Sequence, residues 1–392
     1  MGGRNLARLG LFLIVVVLSV LVSIGQSSVR TRTTLSVTPP KPLPASAEVW
    51  DLDADIGSVM VLSWRGAVDW SVVEPVLTRY QVGGVLLFTA NFGGAPSDLK
   101  FWTERINALA SSNCLGHPIV TMLDEEGGEL ANVKGSFVPP WPMVMASRGP
   151  DSVRELERVN GAALRDAGVG LNLAPVADVR TNPHDGIIGL RSFGSDPSVV
   201  APLVDAAVAG LHEGGVGATV KHFPGLGGAP GDPHVAIPTD PESEAQWSRV
   251  QLPAFAAGIA AGADAVMVTA VYTPGLGSGS TPAVFSPAII GRLRDQLGFG
   301  GVIVTDSLSM WGIGQKWSLP EAAVASLFAG NDMVLLGGGD PADEAQAMDA
   351  VRAAVLSGRL DRAKLHESAV RVNALRDRWG SKPAPCARPQ AA

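Results

Sequence analysis

Short runs of apolar, β-branched residues recur along this chain between longer stretches with helical spacing. The runs are Gly57 to Trp64, Gly84 to Phe88, Pro118 to Leu123, Gly170 to Pro175, Gly217 to His222, Ala263 to Thr269, Gly301 to Thr305 and Asp332 to Leu336. Several are apolar on both faces, as expected of parallel strands covered by helices. Between them, Ser152 to Ala167, Pro197 to Glu213 and Pro287 to Leu297 carry helical periodicity and caps. Eight alternations over about 330 residues predict an α/β fold with one catalytic domain, a (β/α)8 TIM-like barrel. A doubly wound open sheet is the second reading, weakened because no glycine-rich dinucleotide fingerprint follows the first run.

Composition narrows the function classes. The 392 residues are 46% hydrophobic, with 46 glycines and 29 prolines, which suits a loop-rich globule. A formal charge of −7 without any Lys/Arg cluster provides no field for a phosphate backbone, so nucleic acid is not an expected partner. Two cysteines, Cys114 and Cys386, exclude a disulfide framework and Cys-based zinc patterns, and no metal or cofactor is expected.

The ends read differently from the middle. Arg4 and Arg8 precede an apolar stretch from Leu9 to Ile24, an export signal whose length leaves both a cleaved signal peptide and an uncleaved anchor open for residues 1–25. Residues 26–47, rich in Ser, Thr and Pro, read as an extended linker, 48–380 as the catalytic domain and 381–392 as a disordered tail. The domain is therefore expected outside the cytoplasmic membrane, secreted or held there by the N-terminal segment alone, as a monomer.

Candidate chemistry concentrates in residues 221–234, where Lys221, His222, Asp232 and His234 share a glycine- and proline-rich loop directly after Val216 to Val220. Other polar residues gather where a barrel places its chemistry, at the C-terminal ends of strands: Asp124 after the third run, Asp178 after the fourth and Asp306 at the end of the seventh. An Asp in such a place can stabilise an oxocarbenium-like transition state and form a covalent sugar ester, and Asp306 is assigned that role. Asp232 and His234 supply a proton donor poised near the working pH, whereas Lys221, His222, Arg191 and Asp124 are assigned to substrate hydroxyls and the acyl group. The bland readings are helix N-caps for Asp306 and Asp124 and a surface salt bridge for Arg191.

At these residues the chain resembles the family 3 glycoside hydrolases, in their single-domain β-N-acetylglucosaminidase (β-hexosaminidase) branch that acts on bacterial cell-wall fragments. Five ordered motifs carry the resemblance: Asp124-Glu125-Glu126-Gly127-Gly128, Arg191 to Gly194, Lys221 to Gly225, Asp232-Pro233-His234 and Thr305 to Met310. The resemblance implies retaining hydrolysis of terminal β-linked N-acetylglucosamine in peptidoglycan turnover, with Asp306 as nucleophile and His234 as acid/base.

The chain also departs from that pattern. Glu129 and Asn132 stand where arginines are usual, Leu226 and Ala270 where histidines are, and Pro233 where a serine is. Loss of these polar groups implies weakened activity or an altered substrate. Two alternatives follow: a catalytically weak wall-sugar-binding barrel, and a metal-dependent barrel hydrolase using His222, Asp232, His234 and Asp306. The latter is disfavoured because Gly57 to Trp64 offers no histidine.

Overall fold

The computed structural model describes residues 51–112, 116–135, 138–184 and 187–381. The expected N-terminal segment and linker, both cysteines and nearly all of the expected tail lie outside the described residues. All eight expected strands form: β1 Met60–Leu62, β2 Gly84–Leu86, β3 Val120–Leu123, β4 Leu171–Asn172, β5 Gly217–Phe223, β6 Ala265–Val268, β7 Val302–Thr305 and β8 Val334–Leu335. They are parallel, in the order β7-β6-β5-β4-β3-β2-β1-β8. A parallel bridge between Val304 and Met333, with Thr305 N donating to Met333 O at 3.0 Å, brings β7 back to β8 and nearly closes the ring.

Why both strand faces are apolar is now plain. Val61, Val302, Val304, Ala265 and Met267 point into the barrel, where they form one core, while Met60, Leu62, Ile303, Val266 and Val268 alternate outward into the core beneath the helices. The last helix, Arg362–Trp379, adds Val372, Leu375 and Trp379 to the interior core. Its buried Arg376 ties it to the strand entrances: Nε donates to Pro118 O at 2.6 Å and Nη1 to Ser58 Oγ at 3.0 Å. One end of the barrel is thereby plugged, and the other holds Asp124 and Asp306, directly after β3 and β7.

Apart from β5, the strands are shorter than the apolar runs that predict them, and two expected segments change conformation in part. The first strand begins at Met60 rather than Gly57, because Asp51 Oδ1 accepts from Asp53 N (3.0 Å) and Ala54 N (3.2 Å) and commits Leu52–Ser58 to a helix. The segment expected as one helix over Pro287 to Leu297 is α-helical over Pro287–Gly291 and continues as a π-turn over Arg292–Gln296. The other two expected helices are observed at Pro150–Asp166 and Pro197–Gly214.

Candidate active site

Lys221 and His222 lie on β5, as the apolar run from Gly217 to His222 predicts; the strand runs on to Phe223, and the loop rich in glycine and proline begins only after it. Consecutive strand residues ordinarily face opposite sides, but the β5–β6 register shifts between Val220 and Phe223, an irregularity of the kind that re-aims side chains. Both residues consequently join one buried polar chain. Lys221 Nζ lies 2.5 Å from Asp124 Oδ1 and 2.6 Å from Glu126 Oε1. Glu126 also accepts both arms of Arg191, at 2.7 Å from Nε and 2.8 Å from Nη2. Arg191 Nη2 reaches His222 Nε2 at 3.1 Å, and His222 Nδ1 reaches Asp178 Oδ2 at 2.7 Å.

These contacts determine proton positions. A guanidinium only donates, so His222 Nε2 accepts, and its proton sits on Nδ1, donated to Asp178. Burial by itself would raise the Glu126 carboxyl, but the charges of Arg191 and Lys221 outweigh it and hold it well below the usual range. For Lys221 burial opposes the charge, yet Asp124 and Glu126 push its ammonium upward. Within this chain Lys221 is 2% exposed and Asp124 30%, so Asp124 is the member that presents polar oxygen to solvent while Lys221 orients it from behind.

Asp306, half-buried, ends the next part of the rim. Its Oδ2 accepts from Thr269 Oγ1 and its Oδ1 from Ser307 N, both at 2.7 Å, so the carboxylate is held in one orientation with acceptor capacity left on each oxygen. It caps no helix, since the next one begins at Trp311. Asp232 and His234 form a pair, Nδ1 to Oδ1 at 2.8 Å, on an outer loop where the His234 side chain is 60% exposed. Asp232 Oδ1 also accepts from His234 N at 2.8 Å, which fixes the turn joining the two residues. The preceding loop is pinned at Gly227, where a Cβ would fall 1.9 Å from Val179 O, so only glycine permits this approach.

The structure thus gathers Asp124, Arg191, Lys221 and His222 into one bonded chain and Asp232 with His234 into one pair, with Asp306 held separately by Thr269 and Ser307. Glu126 and Thr269 are not among the residues expected at the site, and Asp178 is expected there without an assigned role. Asp178 was visible at its strand end and Glu126 within the Glu-Gly-Gly motif, but Thr269 reads as an ordinary strand residue. Among the described residues no three or more His, Cys, Asp or Glu side chains converge in a way that could hold a metal ion, so His222, Asp232, His234 and Asp306 do not form a ligand set. Beside this site a groove of about 500 Å³ opens between Arg65, Val68, Ser309 and Gly338 to Pro341. A cavity of about 380 Å³ against the last helix, lined by Leu327, Phe328 and Leu365, holds none of these groups.

The departures have structural occupations. Asn132 braces the rim: its Nδ2 donates to Asp124 O at 2.7 Å and its Oδ1 accepts from Thr89 N at 2.9 Å. Leu226 and Ala270 are buried in the apolar core, and Leu226 N donates to Asp178 Oδ1 at 2.6 Å.

Behind Asp124 lie two further acids. Glu125 Oε2 accepts from Asn132 N (2.8 Å) and Val133 N (3.1 Å), and Glu157 accepts from Asn160 Nδ2 at 3.0 Å. Burial pushes both carboxyls up to about 7. Between pH 4.5 and about 7 the unfolded chain has released the Glu157 proton while the folded protein retains it, so folded-state stability falls as pH rises through that window. Glu157→Gln is expected to remove that part of the slope, roughly 2–3 kcal/mol. Denaturant unfolding at pH 5 and pH 7.5 checks this; equal losses in parent and variant would count against a buried, protonated Glu157.

The matching family model is the glycosyl hydrolase family 3 N terminal domain, over residues 52–375. The chain is 32% identical over 328 residues to the beta-hexosaminidase LpqI of Mycobacterium tuberculosis, covering 81% of this chain and 80% of that protein. It is 36% identical over 264 residues to a beta-hexosaminidase of Methylobacillus flagellatus, covering 65% and 73%. Among solved structures, a family 3 beta-N-acetylglucosaminidase from Paenibacillus sp. FPU-7 superposes with a TM-score of 0.80 at 31% identity, over 86% of this chain but only 65% of that one. A beta-N-acetylhexosaminidase from Beutenbergia cavernae gives 0.76 at 31% identity, over 83% and 98%.

Proposed function

The chain belongs to glycosyl hydrolase family 3, and from that premise we propose that it is a β-N-acetylhexosaminidase that removes terminal β-linked N-acetylglucosamine from cell-wall-derived glycans with retention of configuration. The observation that carries the chemistry is the Asp306 carboxylate, fixed by Thr269 and Ser307 at the C-terminal end of β7. One Asp306 oxygen attacks the anomeric carbon as His234 protonates the departing oxygen, giving a glycosyl ester and a free alcohol. Water then attacks the same carbon, His234 takes its proton, and the ester bond breaks to release the sugar and restore the carboxylate. Asp232 orients the imidazole. Asp124 and Arg191 hold the sugar, with Lys221 positioning Asp124 and His222 positioning Arg191 from behind.

An aryl β-N-acetylglucosaminide tests the activity, with the matched β-glucoside as control; no release of N-acetylglucosamine would leave the wall-sugar-binding reading in its place. His234→Ala is expected to cost 10²–10⁴-fold in kcat/KM, which reports the step that expels the leaving group, on an alkyl alcohol leaving group and within about tenfold on a nitrophenol, which departs without a proton. Equal losses on both would remove His234 from the acid role.

Arg4, Arg8 and the apolar stretch from Leu9 to Ile24 support export of the domain beyond the cytoplasmic membrane. In this reading residues 1–25 are the signal or anchor, and residues 26–47 join it to the domain. Among the described residues no helix is long and apolar enough to cross a membrane. Full-length protein free in the cytosol of its native cell would contradict export.

A further inference from the structure

We propose that Trp311 is the platform on which the leaving-side sugar ring of the substrate stacks, so that this enzyme favours glycans in which N-acetylglucosamine is linked to another pyranose. The inference rests on the hydrolase reading above. Trp311 lies five positions beyond Asp306, at the start of helix Trp311–Gly314, and its residue is 64% exposed. It is the one tryptophan in the exposed class among the described residues. Trp64, Trp102, Trp247, Trp317 and Trp379 each pack against another ring, whereas Trp311 has no ring or cation partner among the described residues. An indole left in water at the rim of a polar site offers a ligand an apolar face, and its position decides what can use it.

Its location indicates which ligand. The helix that begins with Trp311 is pressed against the loop of the Asp232–His234 pair: a Cβ on Gly312 would fall 2.6 Å from Pro233 O and 2.8 Å from Ile237 N, and Gln315 Nε2 donates to Val235 O at 2.9 Å. Val235, next to His234, is itself 65% exposed. A residue that protonates the leaving oxygen faces the leaving group, so the surface joined to its loop lies on that group's side of the scissile bond. A pyranose presents a face of C–H groups, apolar and slightly positive at hydrogen, which complements the negative face of an aromatic ring. A methyl aglycone has no such face.

The test compares Trp311→Ala and Trp311→Phe with the parent on a β-1,4-linked N-acetylglucosamine disaccharide and on methyl β-N-acetylglucosaminide, whose leaving groups are both alkyl alcohols. Because the side chain is exposed, its removal leaves the core intact. We expect kcat/KM on the disaccharide to fall about tenfold or more in the Ala variant, with partial recovery in the Phe variant, while methyl glycoside hydrolysis stays within about threefold. Equal losses on both substrates, or none on the disaccharide, would overturn the platform alone. A parent inactive on both would overturn the hydrolase reading and the platform with it.

Discussion

Asp306→Asn is expected to lower turnover by on the order of 10⁴-fold while leaving the fold intact. The substitution keeps shape and volume at the end of β7. The amide oxygen can still accept from Ser307 N, and the amide nitrogen can donate to Thr269 Oγ1, whose hydroxyl then accepts instead of donating. What disappears is the negative charge that meets the anomeric carbon and the oxygen that forms the ester. Turnover within tenfold of the parent, measured on the aryl N-acetylglucosaminide, would remove Asp306 from the nucleophile's role.

The second large effect is on stability. Glu126 is the shared partner of two buried or nearly buried cations, Lys221 at 2.6 Å and Arg191 at 2.7 Å. Glu126→Gln leaves Arg191 without a carboxylate and Lys221 with Asp124 alone. Breaking a buried ion pair from one side costs about 3–5 kcal/mol, because the remaining charge stays desolvated. Activity should fall in parallel, since the chain from Asp124 through Lys221 and Arg191 to His222 loses its middle. Glu129→Gln, at an exposed position three residues on, is expected to change stability by less than about 0.5 kcal/mol. Denaturant unfolding of both variants decides; a Glu126→Gln loss no larger than that of Glu129→Gln would mean that the buried network contributes nothing net.

The barrel was legible because each strand must be apolar on two faces, one toward the interior and one toward the helices, and such runs stand out from amphipathic helices. The start of β1 was not, because a local Asp51 cap outweighs the β-branched character that begins nearby. Strand-end carboxylates were legible for the same topological reason as the strands, so Asp124, Asp178 and Asp306 could be placed before any geometry was known. Who bonds whom was not. Lys221 meets Asp124 across 97 positions and Arg191 meets Glu126 across 65, pairings that only the closed order of β3, β4 and β5 creates.

The departures teach the complementary lesson. Asn132, Leu226 and Ala270 look, as letters, like sugar contacts that were lost. In space Asn132 braces Asp124 against Thr89, and the other two side chains fill the core beneath the rim. Residue type alone does not show whether a position faces a ligand or the protein interior.

Covalent trapping tests the central claim most directly. A 5-fluoro analogue of N-acetylglucosaminyl fluoride keeps the acetamido group, slows both steps by withdrawing electrons from the oxocarbenium-like transition state, and restores the first through its good leaving group. Mass spectrometry of the digested protein is expected to find one added sugar, on the peptide containing Asp306, and none in Asp306→Asn. A sugar carried by a different residue, or steady hydrolysis of the analogue with no adduct at all, would contradict the account.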